Sequence, residues 1–179
     1  AGAFTWEKGQ DVAIEAFRLL KTDLPSARLL LAGDGPLRRS MEQECGNAGS
    51  VQVLGFLADL ESFMQSLDLF IMPSRSEGLG SSALMAMAYG VPVIASRTGG
   101  LPEFVAEGEN GFLVQPRSPE ALASAILRAA RDRSSLRRMG AAARETARRF
   151  TSDIMTWHTM GFYRRCFKSS RKLRVESSK

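Results

Sequence analysis

Short apolar runs alternate along the chain with longer segments whose apolar residues recur at helical spacing. Six runs read as strands, at residues 2–4, 28–32, 51–54, 69–72, 92–95 and 111–114. Between them, Val12, Ala13, Ala16, Phe17 and Leu20 mark one face of a first helix. Further helices are predicted at 36–45, with Pro36 at the first helical position, at 60–66, and at 82–89 with Gly90 as its cap. This order, strand then helix repeated, is the sequence form of β-α units on a parallel sheet. After Val114 the period is helical throughout: 119–131 behind Ser118, 135–150 behind Ser134, and 152–167 behind the capping side chains around Thr151 and Asp153. Residues 1–167 are read as one domain and 168–179, rich in Lys, Arg and Ser, as a disordered basic tail.

Composition narrows the class. A chain of 179 residues with 44% hydrophobic and 24% charged residues is too apolar for a disordered protein and has no collagen-like repeat. Its apolar runs fall far short of the roughly 18 residues that a membrane-spanning helix needs. Nothing near Ala1 has the basic and apolar form of a secretory leader, and Cys45 and Cys166 lack any Cys-x-x-Cys context, so a cytoplasmic setting is expected. Charge is uneven: residues 1–127 carry 9 Lys and Arg against 15 Asp and Glu, and residues 128–179 carry 15 against 4. The basic end is either a set of solvated helix faces or a contact for an anionic membrane surface or nucleic acid.

The single histidine, His158, has no Cys, Asp or Glu at metal-ligand spacing, which argues against a zinc site or a Ser-His-Asp triad within these residues. Glycines at strand-to-helix turns point elsewhere. Gly33 and Gly35 follow the second run, Gly78 and Gly80 the fourth, and Gly99 and Gly100 the fifth. A helix N-terminus offers unpaired N–H groups and partial positive charge, and glycine lets a phosphate approach the backbone. In a parallel sheet such turns gather at the strand C-terminal ends, where ligands bind. The plainer reading, that these glycines only permit tight turns, weighs most for Gly33 and Gly35.

The stretch Pro73-Ser74-Arg75-Ser76-Glu77-Gly78-Leu79-Gly80, then Ala86 to Ala95, then Gly99-Gly100-Leu101-Pro102-Glu103, resembles the nucleotide-sugar-binding half of family-four retaining glycosyltransferases, the glycosyl transferases group 1. Glu7-Lys8-Gly9, the turn from Ala32 to Pro36, and Leu54-Gly55-Phe56-Leu57 match in the same order. The resemblance implies a Rossmann-like α/β domain, with helices on both faces of about six parallel strands and helices at its C-terminal end, forming one half of a GT-B architecture. It also implies donor binding by Lys8, Gly33, Gly35, Phe56, Leu57, Ser74, Glu77, Gly78, Leu79, Gly80, Ser81, Ser82 and Met85. Lys8 would neutralise the leaving diphosphate and Glu77, the first glutamate of a Glu-x7-Glu motif, would meet the donor sugar; these two are the catalytic candidates. No metal or other cofactor is expected, since no Asp-x-Asp motif is present.

Two positions depart from that pattern. Met85 stands where the second glutamate, the ribose ligand, belongs, and Ala3 stands where many members carry a second diphosphate-binding arginine. A thioether accepts hydrogen bonds only weakly, and a methionine beside Leu84 and Met87 is also an ordinary core filler. The acceptor-binding domain is absent from these residues, so the expectation is the donor-binding half of an enzyme, inactive alone, whose final helix packs on the other half. Competing readings are a nucleotide-sugar epimerase of the same fold, with Glu77 and Glu103 as its local carboxylates, and a non-catalytic domain that binds lipid or nucleic acid through its basic end.

Overall fold

A computed structural model describes residues 1–46 and 49–176, and of His158 and residues 166–176 it describes the backbone only. Among the described residues five strands form: β1 (Leu29–Ala32), β2 (Val51–Gly55), β3 (Phe70–Met72), β4 (Val93–Ser96) and β5 (Gly111–Val114). All pairings are parallel, β1 with β2 and β3 with β4 with β5, so the sheet lies in two parts of two and three strands. The helices are α1 (Gln10–Leu19), α2 (Arg38–Cys45), α3 (Leu60–Gln65), α4 (Ser81–Ala88), α5 (Pro119–Ala130), α6 (Arg133–Ala147) and α7 (Ser152–Glu176).

Strand alternation sorts the core into two layers. Ile94 of β4 and Phe112 of β5 point to the side where α1 and α5 pack, among Ile14, Phe17, Leu122 and Ile126. Val93 and Ala95 point to the other side, where Met64 of α3, Met87 of α4 and Ala143 of α6 meet Leu101 and Phe104. Helices therefore cover both faces, as the family resemblance implies. Residues buried on both sides explain why these strands read as unbroken apolar runs rather than alternating ones.

Four expectations need correction. The expected sixth strand at 2–4 is not built as one. Gly2 N–H donates to the Ala32 carbonyl (2.9 Å) and Phe4 N–H to that of Asp34 (2.8 Å), but no ladder joins this segment to β3. Its bonds go to the last residue of β1 and the turn after it, so it runs there as extended chain outside any ladder. Helix α2 begins at Arg38, because Pro36 belongs to the turn that precedes it. Helix α6 is capped by Asp132, whose side chain accepts from Ser134 N–H, so the serine is the capped residue and not the cap. Finally, α7 continues to Glu176, past the expected end at Phe167. Residues 168–176 hold no Gly or Pro to stop a helix, and 177–179, the end of the expected disordered tail, lie outside the described residues.

Ser118 caps α5 as expected, accepting from Ala121 N–H at 3.2 Å, with Pro119 in the first turn. Helix α7 exposes Met155, Trp157, Met160, Phe162 and Tyr163. Among the described residues no helix is long and apolar enough to cross a membrane.

Candidate functional site

The C-terminal ends of β1, β2, β3 and β4 deliver four loops to one edge, which is where the sequence-predicted site residues fall. A short 3-10 turn, Trp6–Lys8, ends in Gly9, which lies in the left-handed region (φ 66°) and starts α1. A Cβ on Gly9 would collide with the Pro73 carbonyl, so only glycine lets this turn lie against the loop after β3. Arg75 N–H donates to the Glu7 carbonyl at 2.7 Å and ties the two loops together.

That stitching brings Lys8 and Glu77 into contact although 69 positions separate them. Lys8 Nζ donates to Glu77 Oε2 at 2.8 Å, and Ser74 Oγ donates to the same oxygen at 3.2 Å. Gly78 N–H donates to the other carboxylate oxygen at 3.2 Å. Glu77's side chain is 10% exposed and that of Lys8 31%, so the carboxylate is held from three sides while the ammonium keeps contact with water. Such a partly buried pair is worth more than a surface salt bridge.

Beside the pair, α4 starts at Ser81 behind Gly80 (φ 82°), with no side-chain cap. Ala83 and Leu84 donate back to the Gly80 carbonyl, which leaves the first-turn amides of Ser81 and Ser82 directed to the helix end. A Cβ on Gly99 would strike the Glu77 carbonyl, and Gly100 N–H donates to the Gly78 carbonyl at 2.7 Å, so the loop after β4 braces the Glu77 loop from behind. Gly78 itself faces open space. Gly33 and Gly35 have a packing reason: a Cβ on either would run into the backbone of Gly2 or Phe4. The surroundings of these two glycines thus agree with the tight-turn reading.

The remaining candidates divide by exposure. Ser74 is fully buried beneath Glu77, whereas Phe56, at 80% exposed, and Leu79 stand out into solvent beside the loops. Met85 is 40% exposed, on the same face of α4 as Ser81 one turn earlier, while Met87 is completely buried. The core-filling reading of Met85 therefore fails. Ala3, at the position of the absent arginine, is exposed.

One constellation was missed in the sequence. Arg75 forms a two-pronged bond with Asp11 (2.8 and 2.6 Å), donates to the Trp6 carbonyl, and lies over the Trp6 ring 5.0 Å from its centroid. Arg117 lies over the same ring at 5.2 Å. The Arg75 guanidinium hydrogen-bonds the Asp11 carboxyl and holds it below the usual carboxylate range. Arg75 stands inside the quoted motif, but no periodicity links it to an aspartate 64 positions earlier. Among the described residues no group of three or more His, Cys, Asp or Glu converges as metal ligands would.

The sequence profile of the glycosyl transferases group 1 matches residues 1–146. The chain belongs to this family. A putative glycosyltransferase of Bacillus subtilis, EpsD, is 35% identical over 147 residues, which is 80% of this chain and 39% of that protein. The crystal structure of Anabaena HepE in complex with UDP superposes with a TM-score of 0.78 at 28% identity, over 94% of this chain and 48% of that one. The C-terminal domain of the group 1 family protein LpcC from Francisella tularensis matches with a TM-score of 0.74 and 27% identity, over 82% of this chain and 80% of that domain. Two further curated relatives, an uncharacterized glycosyltransferase of Methanocaldococcus jannaschii and the sulfoquinovosyl transferase of Arabidopsis thaliana, are likewise spanned over only 42% and 29% of their length. Its α/β architecture is that of a C-terminal GT-B donor domain of the family.

Proposed function

We propose that this chain is the donor-binding part of a retaining glycosyltransferase, which takes up a nucleoside-diphosphate sugar for transfer of its sugar to an acceptor. The observation that carries the reading is the Lys8–Glu77 pair at 2.8 Å, set beside the uncapped start of α4. A partly exposed cation and a row of first-turn amides suit a diphosphate, and a carboxylate fixed by Ser74 and Gly78 suits the hydroxyls of the donor sugar. UDP in the HepE complex supports the same class of ligand.

In this reading Lys8 leaves Glu77 for the diphosphate and offsets the charge that grows on it as the glycosidic bond breaks. The Ser81 and Ser82 amides hold the other phosphate oxygens, and the open backbone at Gly78 allows close approach. Phe56, Leu57 and Leu79 flank the nucleoside, with Gly33 and Gly35 shaping the adjacent turn, and Met85 faces the ribose. Retention follows from displacement on the face the phosphate leaves, with that phosphate accepting the acceptor's proton. Positive charge comes from Lys8 and the helix end, without a metal. The acceptor site and the second wall of the cleft belong to a partner domain, so this chain alone is expected to give no acceptor-dependent transfer.

Calorimetry with the diphosphates of uridine, guanosine, adenosine and thymidine tests this, on the wild type and on Lys8→Ala. Loss of a charged hydrogen bond costs about 1.5 to 3 kcal/mol, or roughly one to two orders of magnitude in Kd. Equal affinities in the two proteins would remove Lys8 from the site.

A further inference from the structure

The turn that carries Lys8 has little of its own to hold it. Trp6–Lys8 is a 3-10 turn with no side-chain cap at Thr5 and no buried residue, and it closes on Lys8 N–H donating to the Thr5 carbonyl at 3.1 Å. So short and exposed a turn opens readily unless contacts from elsewhere in the fold hold it. Lys8 nevertheless keeps its ammonium 2.8 Å from a Glu77 oxygen.

The contacts that hold the turn meet at Trp6. Arg75, its side chain 10% exposed and its guanidinium fixed by both oxygens of Asp11, donates to the Trp6 carbonyl and lies over the ring. The second cation comes from the far end of the sheet. Helices α1 and α5 pack side by side, which brings Trp6, ahead of α1, next to Arg117, ahead of α5. The Arg117 side chain is exposed, and its guanidinium lies over the indole 5.2 Å from the centroid. Indole is the best cation–π acceptor among the side chains.

Arg117 has a second peculiarity. Its φ of 62° makes it the one non-glycine residue in the left-handed region among the described residues. The bend serves the chain, since Ser118 directly after it caps α5, but glycine would make the same bend without the steric cost of a Cβ. The backbone thus accounts for the bend and not for the arginine, and a strained side chain of this kind points to a use.

We propose that Arg117 is a positioning residue for Lys8. Its guanidinium pins the Trp6 ring that Arg75 also holds, the pinned ring keeps the turn closed, and the closed turn keeps the Lys8 ammonium at Glu77. The consequence for the donor rests on the nucleotide reading above, in which Lys8 meets the diphosphate; the hold on Lys8 does not depend on it.

The test reads the Lys8 amine directly. Trace labelling with acetic anhydride, followed by peptide mass spectrometry, compares Lys8 with the exposed Lys21 as internal reference, because an ammonium held on a carboxylate yields less free amine than one in water. In Arg117→Gly the Lys8 label should rise about two- to fivefold, the weight of one exposed cation–π contact, while the melting temperature stays the same or rises as the left-handed strain is relieved. Trp6→Ala should raise the label at least as much, and adding Arg117→Gly to it should change little, since without the ring Arg117 has nothing to pin. Calorimetry with uridine and guanosine diphosphates should show affinity falling in the same order. Unchanged Lys8 labelling in Arg117→Gly overturns the proposal whatever the melting temperature does, and so do effects of the two substitutions that simply multiply. Raised labelling with unaltered affinity for a bound diphosphate also overturns the positioning role. Raised labelling in the variant, with neither diphosphate bound by the wild type, supports the hold on Lys8 and retires the nucleotide reading alone.

Discussion

Replacing Met85 by Glu puts a carboxylate eight positions after Glu77, on the solvent-facing ridge of α4 that it shares with Ser81. The structure sets the size of two effects. Met85 is 40% exposed, so the new charge stays hydrated, and Met and Glu have nearly equal helix propensity; folding stability should change by no more than about 0.5 kcal/mol. If the ribose lies against this ridge, a carboxylate accepting from its hydroxyls adds about 1.5 to 3 kcal/mol, a gain of roughly one to two orders of magnitude in nucleoside diphosphate affinity. Met87→Glu is the control: that side chain is wholly buried between α4 and the sheet, and an unpaired charge there should lower stability by several kcal/mol. Thermal melting and calorimetry on both variants give the two readouts. Unchanged nucleotide affinity in a stable Met85→Glu protein would refute the ribose placement, and a large loss of stability would refute the exposure argument.

Gly99→Ala should destabilise the fold by about 1 to 3 kcal/mol and weaken nucleotide binding, because its left-handed backbone (φ 55°) and its contact with the Glu77 carbonyl both exclude a methyl group; denaturant titration and calorimetry read this. Gly78→Ala, in open space, should leave the melting temperature nearly unchanged while lowering diphosphate affinity, and unaltered binding would argue against phosphate approach at that backbone. Asp11 is held below its ordinary pKa by Arg75, so its contribution to stability is present above about pH 4 and is lost as pH falls through its folded value. Urea unfolding between pH 5 and 3 should therefore fall less steeply for Asp11→Asn than for the wild type.

Strands β1, β3, β4 and β5 were legible because they are buried along nearly their whole length, which leaves a run such as Val93 to Ala95 with no polar break. The helix ends were less so. Asp132 and Ser134 are both good capping residues, and only the backbone shows which one accepts. The segment at 2–4 has strand-like composition, yet its backbone bonds go to the last residue of β1 and the turn after it and not along a strand. At the site, the quoted motifs located the loops, but the bond between Lys8 and Glu77 arises from loop stitching across 69 positions, which no local pattern encodes. The Arg75–Asp11 clamp and the Trp6 ring between two guanidiniums escaped for the same reason. Met85 was ambiguous in sequence because α4 is apolar on most of its surface, and exposure resolved it.

The central claim is that nucleoside diphosphate binds at the loops around Lys8 and Glu77. Backbone amide shifts of the labelled chain, titrated with uridine and guanosine diphosphates, test it most directly. The account predicts saturable shifts at Lys8, Gly78, Gly80, Ser81 and Ser82, lost in Lys8→Ala. Shifts confined to the arginine-rich residues of α6, weakening steeply with added salt, would contradict it and give phosphate binding to the basic end instead.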